Sequence, residues 1–178
     1  QYDSQIIAEG RMKNVIDQND PATGKLVGFG GRGFSIHNNK GEVIYDSGNL
    51  TEEIANELGY YPDGRSDDKS TEPETVESFS LGKKKNKRHF IAVALERCYN
   101  NGDEDELGTI VPIFEVVDLD AADNDDRVSH VATLQSPESL SPEGLLFVKD
   151  TKKSGHMFVT NEVSRTLDTY AFSLSDLG

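Results

Sequence analysis

The sequence predicts an all-β protein: a β-propeller segment of about two to three four-stranded blades, with one short helix near residues 51–58. Three observations predict it. The apolar residues fall in short clusters within strand-like stretches of about five to seven residues, broken by Gly, Asn, Asp and Lys turns. Two stretches of the chain repeat one order of features. The repeat is long enough that the chain holds fewer blades than a ring needs.

A partial blade over 25–48 comes first. Gly33 to His37 and Glu42 to Asp46 read as strands around Asn38-Asn-Lys-Gly41, since Asn and Gly tolerate the positive φ of a tight hairpin. Thr51 to Leu58 reads as a helix, with Thr51 as cap, Glu52 and Glu53 in the electropositive first turn, and Gly59 as stop. A polar, turn-rich stretch from Tyr60 to Thr75 follows. Further strands are predicted at 76–81, 89–97, 109–117, 129–134, 144–149, 156–161 and 166–174.

The repeat units span approximately 71–120 and 140–178. Glu72-Pro-Glu74, a strand, a Lys-rich turn and Phe90 to Glu96 form one. Ser141-Pro-Glu143, a strand, a Lys-rich turn and Met157 to Glu162 form the other. Glu74 and Glu143 stand 69 positions apart, and Glu96 and Glu162 stand 66 apart. At that spacing the 178 residues make between two and three units, whereas a ring closes with about four to eight. The sequence therefore predicts that the remaining blades come from a partner polypeptide or from further parts of the precursor, because an arc leaves strand edges and a sheet face uncovered. A two-sheet sandwich is the competing architecture.

Eighteen Lys and Arg against 32 Asp and Glu give a formal net charge of −14, which argues against nucleic acid and anionic membranes as partners. The run Lys83-Lys-Lys-Asn-Lys-Arg88 reads as a solvated hairpin tip. Apolar runs such as Ile91 to Leu95 fall far short of the roughly 20 residues that cross a bilayer, so no membrane span is predicted. The start at Gln1, without Met or a leader, reads as a processed or fragmentary chain. The single Cys98 reads as an inert core thiol. Asn49-Leu50-Thr51 is the one glycosylation pattern, and with the acidity it points to an extracellular or cell-surface protein glycosylated at Asn49.

Gly28-Phe-Gly30-Gly-Arg-Gly33 matches a dinucleotide loop in letters only. The residues after it read as a hairpin, and the pyrophosphate needs a helix N-terminus. The acidic stretches Asp103–Glu106 and Asp118–Asp126 lack the Gly and Glu positions of a helix–loop–helix calcium site and read as solvated loops. His37, His89, His130 and His156 sit in no catalytic motif. Glu74, Glu96, Glu143 and Glu162 are sharper candidates. They end or begin corresponding strands of successive units, where they could converge on one axial Ca2+. The competing reading pairs Glu96 with Arg97 or Arg65, and Glu162 with Arg165, for structure alone.

Four blocks taken together resemble the choice-of-anchor I domain family. They are Gly31-Arg-Gly-Phe-Ser-Ile36 with Tyr45-Asp-Ser-Gly48, Arg65-Ser-Asp-Asp-Lys69 with Glu72-Pro-Glu74, Ala92 to Arg97, and Ser141-Pro-Glu-Gly-Leu145 with Asn161-Glu-Val-Ser164. That family is similar to mesenchyme-specific cell-surface glycoproteins of biomineralising animals and to secreted alkaline-phosphatase-like proteins. The chain departs from the family pattern at Ser70, Thr71 and Thr75. The resemblance implies an extracellular propeller longer than this chain, of which these residues are the C-terminal part.

The function expected from residues and resemblance is non-enzymatic: a Ca2+-binding segment acting in extracellular matrix, mineral or surface assembly. Two alternatives stand beside it. One is a calcium-dependent phosphoesterase using the same carboxylates. The other is a module binding a small ligand or pigment at a subunit interface.

Overall fold

The computed structural model describes residues 31–99, 106 and 108–178 and is built of antiparallel β-sheets with one α-helix among those residues. A two-stranded hairpin comes first, β1 (Ser35–His37) against β2 (Val43–Asp46), followed by helix α1 (Leu50–Glu57). Next is a four-stranded meander: β3 (Pro73–Leu81), β4 (Arg88–Leu95), β5 (Thr109–Val116) and β6 (Val128–Ser136), hydrogen-bonded in that order. A three-stranded meander ends the chain: β7 (Pro142–Lys149), β8 (Ser154–Asn161) and β9 (Thr166–Ser173).

The central meander is covered on both faces, which explains why β4 is apolar without a break from Phe90 to Leu95. Side chains alternate across a strand, so a strand with two buried faces has no polar set to expose. Val93, Leu95, Ile110 and Phe114 point to a core shared with Tyr45 of the hairpin, Ile54 and Ala55 of α1, Tyr60 and Cys98. Phe90, Ala92, Ala94, Val111 and Ile113 point to a second core shared with Met157 and Val159 of β8 and with Leu177. Phe79 and Phe147 stack at 4.2 Å between centroids across this second interface. The three sheets therefore pack face on face in chain order.

Element boundaries shift from the sequence reading at informative places. α1 begins at Leu50 with Asn49 as its N-cap; the Thr51 hydroxyl is buried and donates instead to the Arg32 carbonyl at 2.7 Å. Gly59 ends the helix as expected, at φ 78°, with its amide on Asn56 and the Tyr60 amide reaching back to Ala55. β3 starts at Pro73 rather than Val76, and β4 stops at Leu95, which leaves Glu96 and Arg97 beyond the strand. The last unit holds three strands among the described residues, those read at 144–149, 156–161 and 166–174, beside four in the central sheet. The stretch 25–30 of the first unit and the acids Asp103 to Asp105 lie outside the described residues.

Candidate metal centre

The two repeat units build the same local device twice. Glu72 and Ser141 both stand in the left-handed region, at φ 47° and 63°, and each is followed by proline. In each sheet the ladder then skips one residue: Pro73 pairs with Leu95 and Thr75 with Ala94, while Pro142 pairs with Asn161 and Gly144 with Thr160. Glu74 and Glu143 are the extra residues of these two bulges, so their side chains are released from the regular pleat. The amide of Glu96 donates to the Glu72 carbonyl at 2.9 Å, and that of Glu162 to the Ser141 carbonyl at 2.8 Å. Each unit thus presents one glutamate from a bulge and one just beyond the neighbouring strand.

These devices meet at the junction of the second and third sheets. Oxygens of Glu96, Glu143 and Glu162 all lie within 4.8 Å of one another, and so do those of Glu72, Glu74 and Glu96. All four predicted glutamates are brought together, with Glu96 common to both groups. Glu72 was missed, because its counterpart in the repeat is Ser141, a residue without charge. The signal available was its place in Glu72-Pro-Glu74 beside Arg65 and Lys69.

Burial and charge divide the cluster. Glu72 is 4% exposed and accepts from Arg65 and from Lys69. Glu96 is 6% exposed and pairs with Arg97 at 2.6 Å, so the predicted structural pairing is present for Glu96 through Arg97, while Arg65 serves Glu72. Glu143 and Glu162 are exposed, and among the described residues Glu162 and Arg165 form no ion pair. Burial raises the Glu96 carboxyl above its ordinary value; Arg97 pulls it back, and Glu72, Glu74 and Glu143 push it further up. The hydrogen bond to Glu72 raises Lys69. Beside the cluster, the buried hydroxyls of Ser70, Thr71 and Ser141 have no hydrogen-bond partner among the described residues.

A polar network fixes the strand that carries Glu162. Asn161, 3% exposed, accepts from the Thr109 hydroxyl at 2.9 Å and donates to Asp168 at 3.0 Å, tying β8 to β5 and β9. The other predicted features lie elsewhere. Asn49 is half-buried and borders a cavity of about 470 Å3 lined also by Tyr45, Glu53, Asp125 and His130. Among the described residues, no carboxylate of Asp118–Asp126 belongs to a group close enough to share one ion. His37 bonds Ser35 at 2.9 Å on the exposed hairpin, but its other ring nitrogen faces the Gly41 carbonyl, not an acid.

The family model for the choice-of-anchor I domain matches residues 7–119. No curated protein and no solved structure matches the chain. With more than half of its length covered by that match, this chain belongs to the choice-of-anchor I domain family.

Proposed function

We propose that this chain is part of an extracellular or cell-surface β-propeller that binds Ca2+, is completed by another polypeptide, and serves matrix, mineral or surface assembly. The observation that carries the metal is the convergence of Glu96, Glu143 and Glu162. Two oxygens each about 2.4 Å from one ion can stand at most about 4.8 Å apart, and these three carboxylates meet that limit. Their donors are all hard oxygens, which suits Ca2+ over softer metals. Charge points the same way. Five carboxylates (Glu72, Glu74, Glu96, Glu143, Glu162) gather around three cations (Arg65, Lys69, Arg97), a deficit of two that one divalent cation balances.

The propeller reading is supported by the stacking of sheets in chain order and by the face of β7–β9 turned away from the core. Leu146 is 57% exposed there and Leu167 61%, and both line a shallow apolar hollow with Phe158. A further sheet from another polypeptide would bury this patch, which folded proteins seldom leave open.

Calorimetric titration with Ca2+ tests the metal. Uptake is expected in the parent protein, with affinity falling more than about tenfold in Glu143→Gln, whose exposed side chain contributes little to the fold. Equal heats in parent and variant, or none in either, remove the metal assignment. Intact mass before and after deglycosylation tests the surface location through Asn49.

A further inference from the structure

The two lysine-rich turns, far apart in the chain, lie side by side in the fold. The Gly82 amide donates to the Lys152 carbonyl at 2.6 Å, and Lys149 reaches across to the Ser80 carbonyl at 2.6 Å. Gly82 stands at φ 96°, and a Cβ there would fall 2.0 Å from the Asn86 carbonyl oxygen, so the first turn is held in shape by glycine. Lys83, Lys84, Lys85 and Lys87 on one turn and Lys149, Lys152 and Lys153 on the other are exposed. Among the described residues none of these seven forms an ion pair.

The acids near them are otherwise engaged. Asp150 holds His156 at 2.8 Å, and Asp176 folds back on the Ser173 amide at 2.7 Å. Seven lysines less these two acids leave a local surplus of five positive charges. The acidic loop 118–126 shares this end of the sheet, but it is drawn the other way, onto β2: Asn124 bonds Asp46 at 3.2 and 2.9 Å, and Arg127 donates to the Ile44 carbonyl. The glutamate cluster lies at the opposite ends of β3 and β7. Eight strand residues span about 26 Å, some three Debye lengths at physiological salt. The net charge of −14 therefore does not cancel this patch.

The chemistry of the turns selects the partner. Neither tip carries an aromatic side chain to stack on bases, and Val148, 43% exposed beside Lys149, is too little apolar surface to enter a bilayer. The one guanidinium beside them, Arg88, is already bonded to Glu115 and to the Leu177 and Gly178 carbonyls. What remains is a row of flexible point charges on a hydrophilic surface, which suits a linear, hydrated polyanion. We propose that these two turns form one docking surface for a sulfated polysaccharide.

The test is titration of a fluorescent heparin oligosaccharide against the protein in chelator, at about 0.1 M salt. Replacing Lys83, Lys84 and Lys85 by Ala weakens binding more than about tenfold and lowers the slope of log affinity against log salt. Replacing Lys152 and Lys153 does the same, and the combined variant binds more weakly than either. Lys40→Ala, on the first hairpin, leaves binding unchanged. Affinity unmoved by either set, equal loss in Lys40→Ala, or tighter binding to single-stranded DNA or to anionic vesicles overturns the proposal. Melting temperatures check that every variant is folded.

Discussion

Glu72 and Ser141 occupy one structural position in two successive sheets. Both are left-handed, both precede proline, and both carbonyls accept the amide of a glutamate that follows a strand. Their side chains meet different fates. Glu72 finds two cations, whereas the Ser141 hydroxyl is fully buried with no partner among the described residues. The backbone device is thus independent of the side chain, and the two positions make separable predictions.

Ser141→Gly is expected to stabilise the protein. The left-handed conformation costs an L-residue roughly 1–2 kcal/mol, and a buried unpaired hydroxyl roughly 1–3, against about 0.5–1 for the added freedom of glycine in the unfolded chain. The net gain is at least about 1 kcal/mol, seen as a higher urea midpoint at unchanged slope. A lower midpoint would show that the hydroxyl has work in the folded state.

Glu72→Gln is expected to destabilise, although it preserves shape. It removes the negative partner of Lys69 and Arg65 at a site 4% exposed, and charge-assisted bonds of this kind contribute about 1.5–3 kcal/mol. Both cations keep some access to water, so the loss sits toward the lower end. Denaturation at low and high salt checks it: the difference between parent and variant shrinks as salt rises.

The sequence made the strands legible because every apolar run is bounded by turn residues, and β4 reads as continuous because both its faces are buried. Glu96 and Glu162 were legible as charges just past such runs, and Glu74 and Glu143 through the repeat. The bulges that release Glu74 and Glu143 were not. A bulge is a property of register between two strands, and the partner residues, Leu95 and Asn161, lie about twenty positions away in the chain. Thr51 reads as the cap of α1 by residue type, and the long-range bond that takes its hydroxyl to the Arg32 carbonyl leaves no local signal. The union of the lysine turns depends on how the second and third sheets stack, which no local pattern encodes.

Met157 sits at that stacking interface, 0% exposed, so Met157→Ala opens a cavity between two sheets. A loss of about 2–5 kcal/mol is expected. Val76→Ala, at a side chain 62% exposed on β3, is the contrast and should change stability by no more than about 0.5 kcal/mol. Urea unfolding of both variants checks the assignment of the second core; similar small losses in both would remove it.

Cys98 lies in the first core at 0% exposure, and burial raises its thiol well above the ordinary value. The thiolate is the reactive form, so an aromatic disulfide reagent should leave the native protein untouched for hours and react at once in denaturant. Rapid native labelling would mean that the core around α1 opens readily.

Glu96 gives the metal centre a pH signature of defined sign. Its folded carboxyl is raised, first by burial and then by Glu72, Glu74 and Glu143, so the folded state holds a proton that the unfolded state gives up. This contribution is fully present below the unfolded value and is lost as pH rises through the folded one. Without metal, stability should therefore climb as pH falls from neutral into that window, and Glu96→Gln should raise stability at neutral pH while flattening the climb. Calcium reverses the slope, because proton and ion compete for the same carboxylate. Urea midpoints over a pH series, with Ca2+ and with chelator, separate the cases. A parent profile that superposes on that of Glu96→Gln under both conditions would mean that the carboxyl neither titrates in this window nor meets an ion.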